Sequence, residues 1–536
     1  MNIKQKIGQR IGIGFSGTKI SDEFKRLVKE YKIGNAILFR DNLESASQTR
    51  QLCKEIHELI QEETGYPAFI AVDQEGGPVT RLPQDMVNVP GAMALAASGK
   101  IENVQLAAEI TAEEIRRIGA NLNLAPVLDI NCNRDNPVIG NRSFAASAQD
   151  VSHYSSALIK AYAQKGLLCC AKHFPGHGDT AIDSHLDLPM VDLSLDELLK
   201  RELAPFIAAI EAGIPAIMTT HILFPQIEDE RLPATMSKKI LTGLLRERFG
   251  FKGLIISDGM EMKAIKDYYG VPKGCVLALT AGVDIVYICH ESPDMEASIK
   301  EINAAYANEN NKLDTSSELN TSELNTSIER IIRFKEKYAG FGLNAKDVDD
   351  DTVNHRRKQN AQLTRSTLAL RNPGQAAPSL GNKPFFMGSL AYRSTIASAK
   401  PDTTLSFSRW FAQEFNGNFL ETPVNPSSSE IADIVLQFQN NIDSGSAQLP
   451  PTSIVFGSYN GHLNRGQMDL ACELFKTANK NGIPFLCLAM RNPWDISLLP
   501  EGAYGLVLWE YSQKSFEAAA AVLRNEFIPE GKIPVI

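Results

Sequence analysis

The chain has 536 residues, more than one ordinary domain holds, so we predict two domains. Its formal net charge of -9 argues against nucleic-acid partners and anionic membranes, both of which favour a basic surface. The 8 cysteines follow no disulfide or zinc spacing, and the apolar run at 11–15 is too short and glycine-rich for a signal-peptide core. No apolar run has the length of a membrane span, and we expect a cytoplasmic protein.

In the first half of the chain, short apolar runs typical of strands alternate with amphipathic segments typical of helices. The predicted strands are 11–15, 35–39, 68–73, 122–128, 167–173, 216–221, 253–258 and 284–289. The predicted helices between them include 22–31, 49–62, 151–164, 195–212 and 237–249. Eight βα repeats predict an α/β fold of the (β/α)8 TIM-barrel type, with a doubly wound sheet as the alternative.

Polar residues cluster at the C-terminal ends of these predicted strands. They are Asp73, Asp129, Lys172 with His173, His221 and Asp258. Helix capping explains one or two such positions, but lysine and histidine are not N-cap residues. Because the βα loops of a barrel converge at this end, the pattern favours a barrel with a functional site at its mouth.

A second α/β pattern begins near residue 362. Its predicted strands are 366–370, 384–387, 431–438, 453–456, 484–489 and 505–509. We therefore predict a barrel domain at 1–345 that carries the candidate site, a linker at 346–361 and an α/β sandwich domain at 362–536. The second domain shows no catalytic constellation, and we interpret its glycine-bounded loop 457–461 as a strand-to-helix turn.

The densest cluster of reactive side chains lies at 172–185, KHFPGHGDTAIDSH, which holds three of the chain's 9 histidines. Its glycines and proline predict a loop after the fifth strand. Residues two apart in an extended segment project to the same side, so Asp183 is placed to hydrogen-bond His185. A carboxylate held against imidazole fixes its tautomer and raises its basicity, which suits proton transfer near neutral pH.

Two other interpretations of this loop stay open. It is either a polar surface loop or a metal site, since His173, His177, Asp179 and His185 are all ligand types. Zinc amidohydrolases, which are also built on barrels, usually carry a His-x-His after the first strand, and the segment 11–17 has no histidine. Metal binding is therefore the alternative to proton transfer.

Asp258 ends an apolar strand at the predicted barrel mouth. Either it caps the following helix, or it is a carboxylate placed to form a covalent glycosyl-enzyme. Two arginines lie in other βα loops, Arg81 and Arg142, and are donors suited to ring substituents of a sugar. For Glu75 a structural role within its loop is favoured.

Together these segments strongly resemble glycoside hydrolase family 3, in its bacterial β-N-acetylglucosaminidase branch, from about residue 8 to 340. The matching motifs are DQEGG at 73–77, NPVIGNRSF at 136–144, KHFPGHGDT at 172–180 with DSH at 183–185, MTTH at 218–221, PATMS at 233–237 and GFKGLIISD at 250–258. The chain departs from the family pattern at Pro78, where arginine is common, and at Gly259, where a second acidic residue often follows the nucleophile.

The resemblance implies that Asp258 is the nucleophile and that His185, paired with Asp183, is the general acid/base. It implies no metal or organic cofactor. It also implies that N-acetylglucosamine is bound by Asp73, Arg81, Arg142, Lys172 and His173, with His221 nearby.

The function that follows is a retaining exo-acting β-N-acetylglucosaminidase that acts on cell-wall muropeptide fragments or chitin oligosaccharides. The alternatives are a phosphorylase that uses the same site with phosphate as acceptor, a metal-dependent barrel hydrolase, and a sugar-binding protein without activity. The expected partner is a small glycan, with no nucleic acid and no membrane.

Overall fold

The computed structural model describes residues 1–180, 188–308, 321–393, 398, 404–443 and 450–535. Within these residues the chain forms a closed eight-stranded barrel followed by a six-stranded sheet. Both parts are covered by helices, so the structure confirms the predicted α/β class and the barrel. No helix in the described ranges has the length and apolar character needed to cross a membrane.

The barrel is closed by strands that follow one another in chain order. They are β1 Ile11–Ile13, β2 Asn35–Leu38, β3 Phe69–Val72, β4 Leu122–Asn123, β5 Leu168–Phe174, β6 Ala216–Thr219, β7 Leu254–Gly259 and β8 Ile285–Ile288. Every neighbouring pair is parallel, and β1 pairs with β8 to close the ring. All C-terminal strand ends therefore meet at one mouth.

Helices wrap the barrel on its outer side. They are α1 Ile3–Gln9, α2 Asp22–Tyr31, α3 Ala46–Thr64, α4 Ala92–Ala97, α5 Ile101–Ile118, α6 Ala148–Lys165, α7 Leu195–Lys200, α8 Ala204–Glu211, α9 Lys263–Lys266, α10 Val271–Ala281, α11 Pro293–Asn308 and α12 Thr321–Leu343. A π-helical segment, Lys239–Arg248, stands between β6 and β7.

Local signals in the sequence explain the bounds of these helices. In α2 the Ser21 hydroxyl accepts the backbone N–H of Phe24 at 3.0 Å, which caps the first turn. Its buried residues recur at helical spacing and pack against the barrel: Phe24, Leu27, Val28 and Tyr31. The helix α3 ends where Gly65 takes a left-handed φ of 80°.

One predicted helix, 195–212, is two helices in the structure. The capping box of Ser194 and Glu197 starts α7, and the chain leaves the helix at Arg201. Pro205 has no N–H, and its ring would meet the carbonyl of the residue four positions earlier, so a continuous helix is excluded there. Arg201 and Glu202 lie in this break, and the Arg201 side chain contacts Asp179 in the loop that follows β5.

The second domain is a mostly parallel sheet with helices on both faces. Its strands are β9 Ala369–Leu370, β10 Pro384–Gly388, β11 Asn418–Glu421, β12 Ser453–Ser458, β13 Phe485–Ala489 and β14 Tyr504–Val507, in the spatial order β11-β10-β12-β13-β14-β9. Only β9 is antiparallel to its neighbour. Its helices are α13 Asp350–Thr367, α14 Phe407–Phe415, α15 Ser428–Asp443, α16 Arg465–Lys480, α17 Trp494–Ser497 and α18 Gln513–Leu523.

The strand predicted at 431–438 is wrong, because this segment lies inside α15. Its buried apolar residues are Ile431, Ile434 and Phe438, whose spacing of three and four is helical. The sequence analysis also missed β11, an exposed edge strand without a clear apolar run. The other predicted strands of this domain have counterparts in β9, β10, β12, β13 and β14.

The two domains share buried contacts. Met93, Ala94 and Ala97 of the barrel helix α4 belong to the same buried apolar cluster as Ile454 of β12. The helix α13 covers much of the predicted linker 346–361, and its Arg356 pairs with Glu114 of α5 at 2.8 Å. At the barrel mouth, the Asn141 side chain donates to the backbone carbonyls of Arg491 and Trp509. The mouth of the barrel therefore faces the C-terminal edge of the second sheet.

Candidate active site

A cavity of about 550 Å³ opens at the C-terminal ends of the barrel strands. It brings together six residues that the sequence analysis selected: Asp73, Arg81, Arg142, Lys172, His173 and Asp258. Asp73 follows β3, and Arg81 and Arg142 lie in the loops after β3 and β4. Lys172 and His173 lie in β5, and Asp258 lies in β7. Apolar side chains such as Leu124, Val138 and Met218 line the same space.

Asp73 and Lys172 form the charged floor of this cavity. The Lys172 ammonium donates to an Asp73 carboxylate oxygen at 2.8 Å, and the Arg81 guanidinium lies 3.3 Å from the other oxygen. Burial acts to raise the pKa of Asp73, but the charges of Lys172 and Arg81 outweigh it and hold that pKa well below its ordinary value. Asp73 is thus an ionised acceptor inside a cavity, suited to hydroxyl groups of a ligand.

Glu75 is a site residue whose role the sequence analysis assigned only to loop structure. Its two carboxylate oxygens accept from Arg142 Nη2 at 2.7 Å and Nε at 2.8 Å, a bidentate pair. Lys172 Nζ lies 2.7 Å from the same carboxylate. Glu75 therefore fixes two of the predicted sugar-binding cations and also lines the cavity itself.

A second buried carboxylate, Asp129, holds the loop that follows β5. It accepts from His173 Nδ1 at 2.7 Å, from the His173 backbone N–H at 3.2 Å and from the His177 backbone N–H at 2.7 Å. Burial, and to a smaller extent the nearby His173, lowers the pKa of His177 to about 4, so the His177 ring is neutral near neutral pH. The His177 ring is in turn 2.8 Å from the Thr180 hydroxyl.

Asp258 lies in the cavity wall at the end of β7, half-buried. One carboxylate oxygen accepts the Gly259 backbone N–H at 2.8 Å, which orients the group. A Cβ on Gly259 would lie 3.3 Å from Cys289 Sγ and 3.5 Å from Glu261 Oε2. The space that a second acidic residue would take after Asp258 is thus already bordered by these two side chains.

His221 is not among the cavity-lining residues, unlike the other predicted sugar contacts. It is buried behind the wall, where Nε2 donates to the Gly259 carbonyl at 3.0 Å and Nδ1 lies 2.9 Å from the Thr235 hydroxyl. The ring therefore supports the backbone next to Asp258. We interpret His221 as a residue that positions this strand end.

The predicted proton-transfer pair, Asp183 and His185, lies outside the described residues. Of the alternative metal ligands in the loop, His173 contacts Asp129 and Asp179 is paired with Arg201. Within the described parts of the chain, one group of three side chains brings possible metal-ligand atoms close together: Cys132, Asp179 and Glu202. None of these three residues lines the cavity.

Several residues of the cavity wall escaped the sequence analysis. His290 stacks on Phe39 with ring centroids 4.9 Å apart, and its Nδ1 donates to Glu261 at 2.8 Å. The hydrogen bond to Glu261 raises the pKa of His290. From the second domain, Arg393 and Ser398 also line the cavity, and Ser398 accepts from Arg491 at 2.8 Å. The strand-end pattern that located Asp73 and Asp258 also holds for His290, which follows β8.

Fold and site together define a class. A (β/α)8 barrel that presents a carboxylate beside an ionised, hydroxyl-accepting network at its mouth has the layout of a barrel glycoside hydrolase. Comparison with known proteins gives the family: the model of the glycosyl hydrolase family 3 N-terminal domain matches residues 2–334, and the chain belongs to this family. This confirms the resemblance seen in the motifs.

Named relatives and solved structures agree with the family. The chain is 35% identical over 337 residues to β-hexosaminidase A of Pseudoalteromonas piscicida, which is 60% of this chain and 56% of that protein. It is 36% identical over 296 residues to a β-hexosaminidase of Neisseria meningitidis serogroup C, covering 53% of this chain and 78% of that protein. The chain thus spans about half the length of the first of these relatives.

The whole chain also aligns with a solved structure, a family 3 β-N-acetylglucosaminidase from Paenibacillus sp. FPU-7. The TM-score is 0.88 at 31% identity, and the alignment covers 100% of this chain and 99% of that one. The second domain is therefore part of an architecture found in another member of the family.

The ion pairs of Glu75 predict how stability depends on pH. Burial opposes ionisation, but Arg142 and Lys172 lower the pKa of Glu75 to about 2, from an ordinary value of 4.5. A lowered carboxyl pKa stabilises the fold above the ordinary value, and this contribution is lost as the pH falls from about 4.5 to about 2. Glu75→Gln should therefore cost about 3 kcal/mol at pH 7, and the difference from wild type should shrink on acidification.

Urea unfolding at a series of pH values measures this difference. The matched control is Glu211→Gln, which removes an exposed carboxylate and should change little at any pH. A Glu75→Gln cost that stayed constant down to pH 3 would contradict the assigned ion pairs.

Proposed function

We propose that the protein is a retaining, exo-acting β-N-acetylglucosaminidase that releases terminal N-acetylglucosamine from cell-wall muropeptide fragments or chitin oligosaccharides. The observation that carries the proposal is that Asp258 shares one cavity with the ionised network of Asp73, Lys172, Glu75 and Arg142. The names of the relatives and of the aligned structure support the sugar. A place in peptidoglycan recycling, in the cytoplasm, is part of the proposal.

In the first step, an Asp258 oxygen attacks the anomeric carbon of N-acetylglucosamine while the bond to the leaving-group oxygen breaks. His185 gives its proton to that oxygen, so the leaving saccharide departs as a neutral alcohol. The product is a covalent glycosyl-aspartate. The Gly259 N–H donates to one Asp258 oxygen and orients the carboxylate at the end of β7.

In the second step, water attacks the same carbon from the side that the leaving group vacated. His185, now neutral, takes a proton from the water, and the bond to Asp258 breaks. Asp183 holds the imidazole in the required tautomer in both steps. Two inversions give net retention, and the proposal requires no cofactor.

The charged floor would orient the sugar for both steps. Asp73 stays ionised and accepts from hydroxyl groups, and the Lys172 ammonium, which is paired with Asp73 and Glu75, places a positive charge beside the same ligand. Because these ion pairs exist before the substrate arrives, little reorganisation is needed on binding. The apolar wall of Leu124, Val138 and Met218 suits the methyl group and ring face of an N-acetyl sugar.

Phosphate is the alternative acceptor in the second step. It would attack the glycosyl-aspartate in place of water and give N-acetylglucosamine 1-phosphate. Product analysis in phosphate buffer separates this phosphorylase from a hydrolase. Loss of activity on dialysis against EDTA, with recovery on adding zinc, would instead support the metal-dependent alternative.

Asp258→Asn should lower kcat for an aryl β-N-acetylglucosaminide more than about 100-fold, because it removes the nucleophile without changing the shape of the side chain. Binding of N-acetylglucosamine, measured by calorimetry, should stay close to wild type. The wild-type enzyme should also prefer the aryl N-acetylglucosaminide to the aryl glucoside. Retention of more than about a hundredth of the wild-type kcat would overturn the assignment of Asp258.

Arg393 tests whether the leaving saccharide lies between the barrel and the second domain. Arg393→Gln should raise KM about tenfold for a disaccharide or muropeptide substrate, the usual cost of one charge-assisted hydrogen bond, and leave an aryl N-acetylglucosaminide unchanged. Arg409→Gln, at an exposed arginine of the same domain, is the control and should affect neither substrate. Equal effects of Arg393→Gln on both substrates would place Arg393 outside the leaving-group site.

A further inference from the structure

A pair of ion-paired residues outside the cavity contacts the loop that leads to the predicted acid/base. Arg201 and Glu202 lie in the break between α7 and α8. The Arg201 guanidinium donates from Nη2 to the Asp179 carboxylate and from Nε to Glu202 Oε1, the latter at 2.7 Å. One guanidinium therefore joins a carboxylate on the loop after β5 to a carboxylate behind it.

Glu202 packs directly against this loop. Its side chain is 1% exposed, and a Cβ built on Gly176 would lie 2.8 Å from Glu202 Cβ. Gly176 has a φ of 141°, so only glycine fits this close approach easily. Glu202 Oε1 also lies 3.8 Å from Cys132 Sγ, whose thiol donates to it. The loop is thus held at Gly176 by packing and at Asp179 by charge.

Other contacts hold the loop on both sides of Asp179, since the Thr180 hydroxyl accepts from the Asn136 side chain at 3.2 Å and lies 2.8 Å from the His177 ring. Asp129 binds His173 and His177, and the Asn136 side chain donates to the carbonyls of His177 and Gly178, each at 2.9 Å. Asp179 is the next residue, four positions before Asp183, and its ion pair is with Arg201. Arg201 therefore holds the last charged residue of the loop before the predicted proton-transfer pair.

We propose that Arg201 and Glu202 are positioning residues for the acid/base, which they serve by fixing Asp179. This inference rests on the proposed function, because it requires His185 to transfer the proton. Arg201 and Glu202 do not line the cavity, so they do not touch the sugar. They act through the ion pair between Arg201 and Asp179.

The same carboxylates invite a different interpretation as a cation site. Ligand atoms of Cys132, Asp179 and Glu202 lie within 4.8 Å of one another. However, the Arg201 guanidinium is already paired with both carboxylates, and a divalent cation between them would be repelled by its positive charge. Burial also raises the pKa of Glu202 to about 7, with the charge of Arg201 acting in the opposite direction, which weakens Glu202 as a metal ligand at neutral pH.

The test compares Arg201→Met with Lys200→Met, which removes an exposed positive charge one residue away and serves as the control. Both are assayed on an aryl β-N-acetylglucosaminide with a good leaving group and on a natural disaccharide, with and without azide. His185→Gly, in which azide should replace the missing base, is the reference. Circular dichroism and thermal melting check the fold of each variant.

We expect Arg201→Met to lower kcat/KM for the disaccharide about 10- to 100-fold, as a displaced catalytic group does, and to lower the aryl substrate's glycosylation rate less. A burst of aryl alcohol and partial recovery by azide should follow, since the base is misplaced rather than absent. Arg201→Lys should recover part of the loss, and Lys200→Met should match wild type. If Arg201→Met does not fold, Asp179→Asn tests the same contact from the loop side.

Equal slowing of both substrates without a burst or azide recovery, or no slowing at all, would overturn the positioning role. If EDTA abolished the activity of the wild type but not that of Asp179→Asn, the positioning role would be overturned in favour of the cation site. Failure of azide to rescue His185→Gly itself would instead refute the proposed proton transfer. The two proposals therefore fail in distinguishable ways.

Discussion

The structure of the site depends on the mutual neutralisation of buried charges at the barrel mouth. Asp73, Glu75, Lys172 and Arg142 are all withdrawn from water, and each is paired with at least one of the others. Removing one partner of such a network leaves a buried charge uncompensated, which typically costs about 3 to 5 kcal/mol. These ion pairs are formed without a ligand, which suits a site that must orient a ring of hydroxyl groups.

The barrel explains how residues so far apart in the chain meet. Glu75 and Arg142 are 67 residues apart, and Asp73 and Lys172 are 99 apart, yet parallel strands bring their C-terminal ends to one edge. The second domain adds to this edge rather than standing apart. Its own strand ends face the mouth, and its apolar core includes residues of α4. The same two-domain architecture aligns over the whole chain with the structure from Paenibacillus sp. FPU-7.

Much of the fold follows from local patterns. The buried parallel strands appear in the sequence as continuous apolar runs with polar residues after them, and this signal located both the barrel and Asp73, Lys172 and Asp258. The prediction of a strand at 431–438 was wrong because a short apolar run alone does not distinguish a strand from the buried face of a helix. The edge strand β11 carries too few buried residues to leave any signal.

The parts of the site that escaped prediction are those defined by contacts distant in sequence. Nothing in the motif at 73–77 shows that Glu75 will meet Arg142 in a bidentate pair. Likewise, Arg393 belongs to a domain without a catalytic motif, and only the packing of the two domains brings it to the cavity. His221 shows the opposite case: a polar strand-end residue whose side chain turns behind the wall, because its ring nitrogens bond to Gly259 and lie beside Thr235.

The central claim is that Asp258 carries the sugar during turnover. Mass spectrometry of the peptides from His185→Gly, quenched with acid during turnover of an aryl β-N-acetylglucosaminide, tests it most directly. The account predicts that the peptide containing Asp258 gains one N-acetylglucosaminyl group, in a bond that base hydrolyses as it does an ester. A sugar attached to a different residue, or turnover by this variant without any labelled peptide, would contradict it.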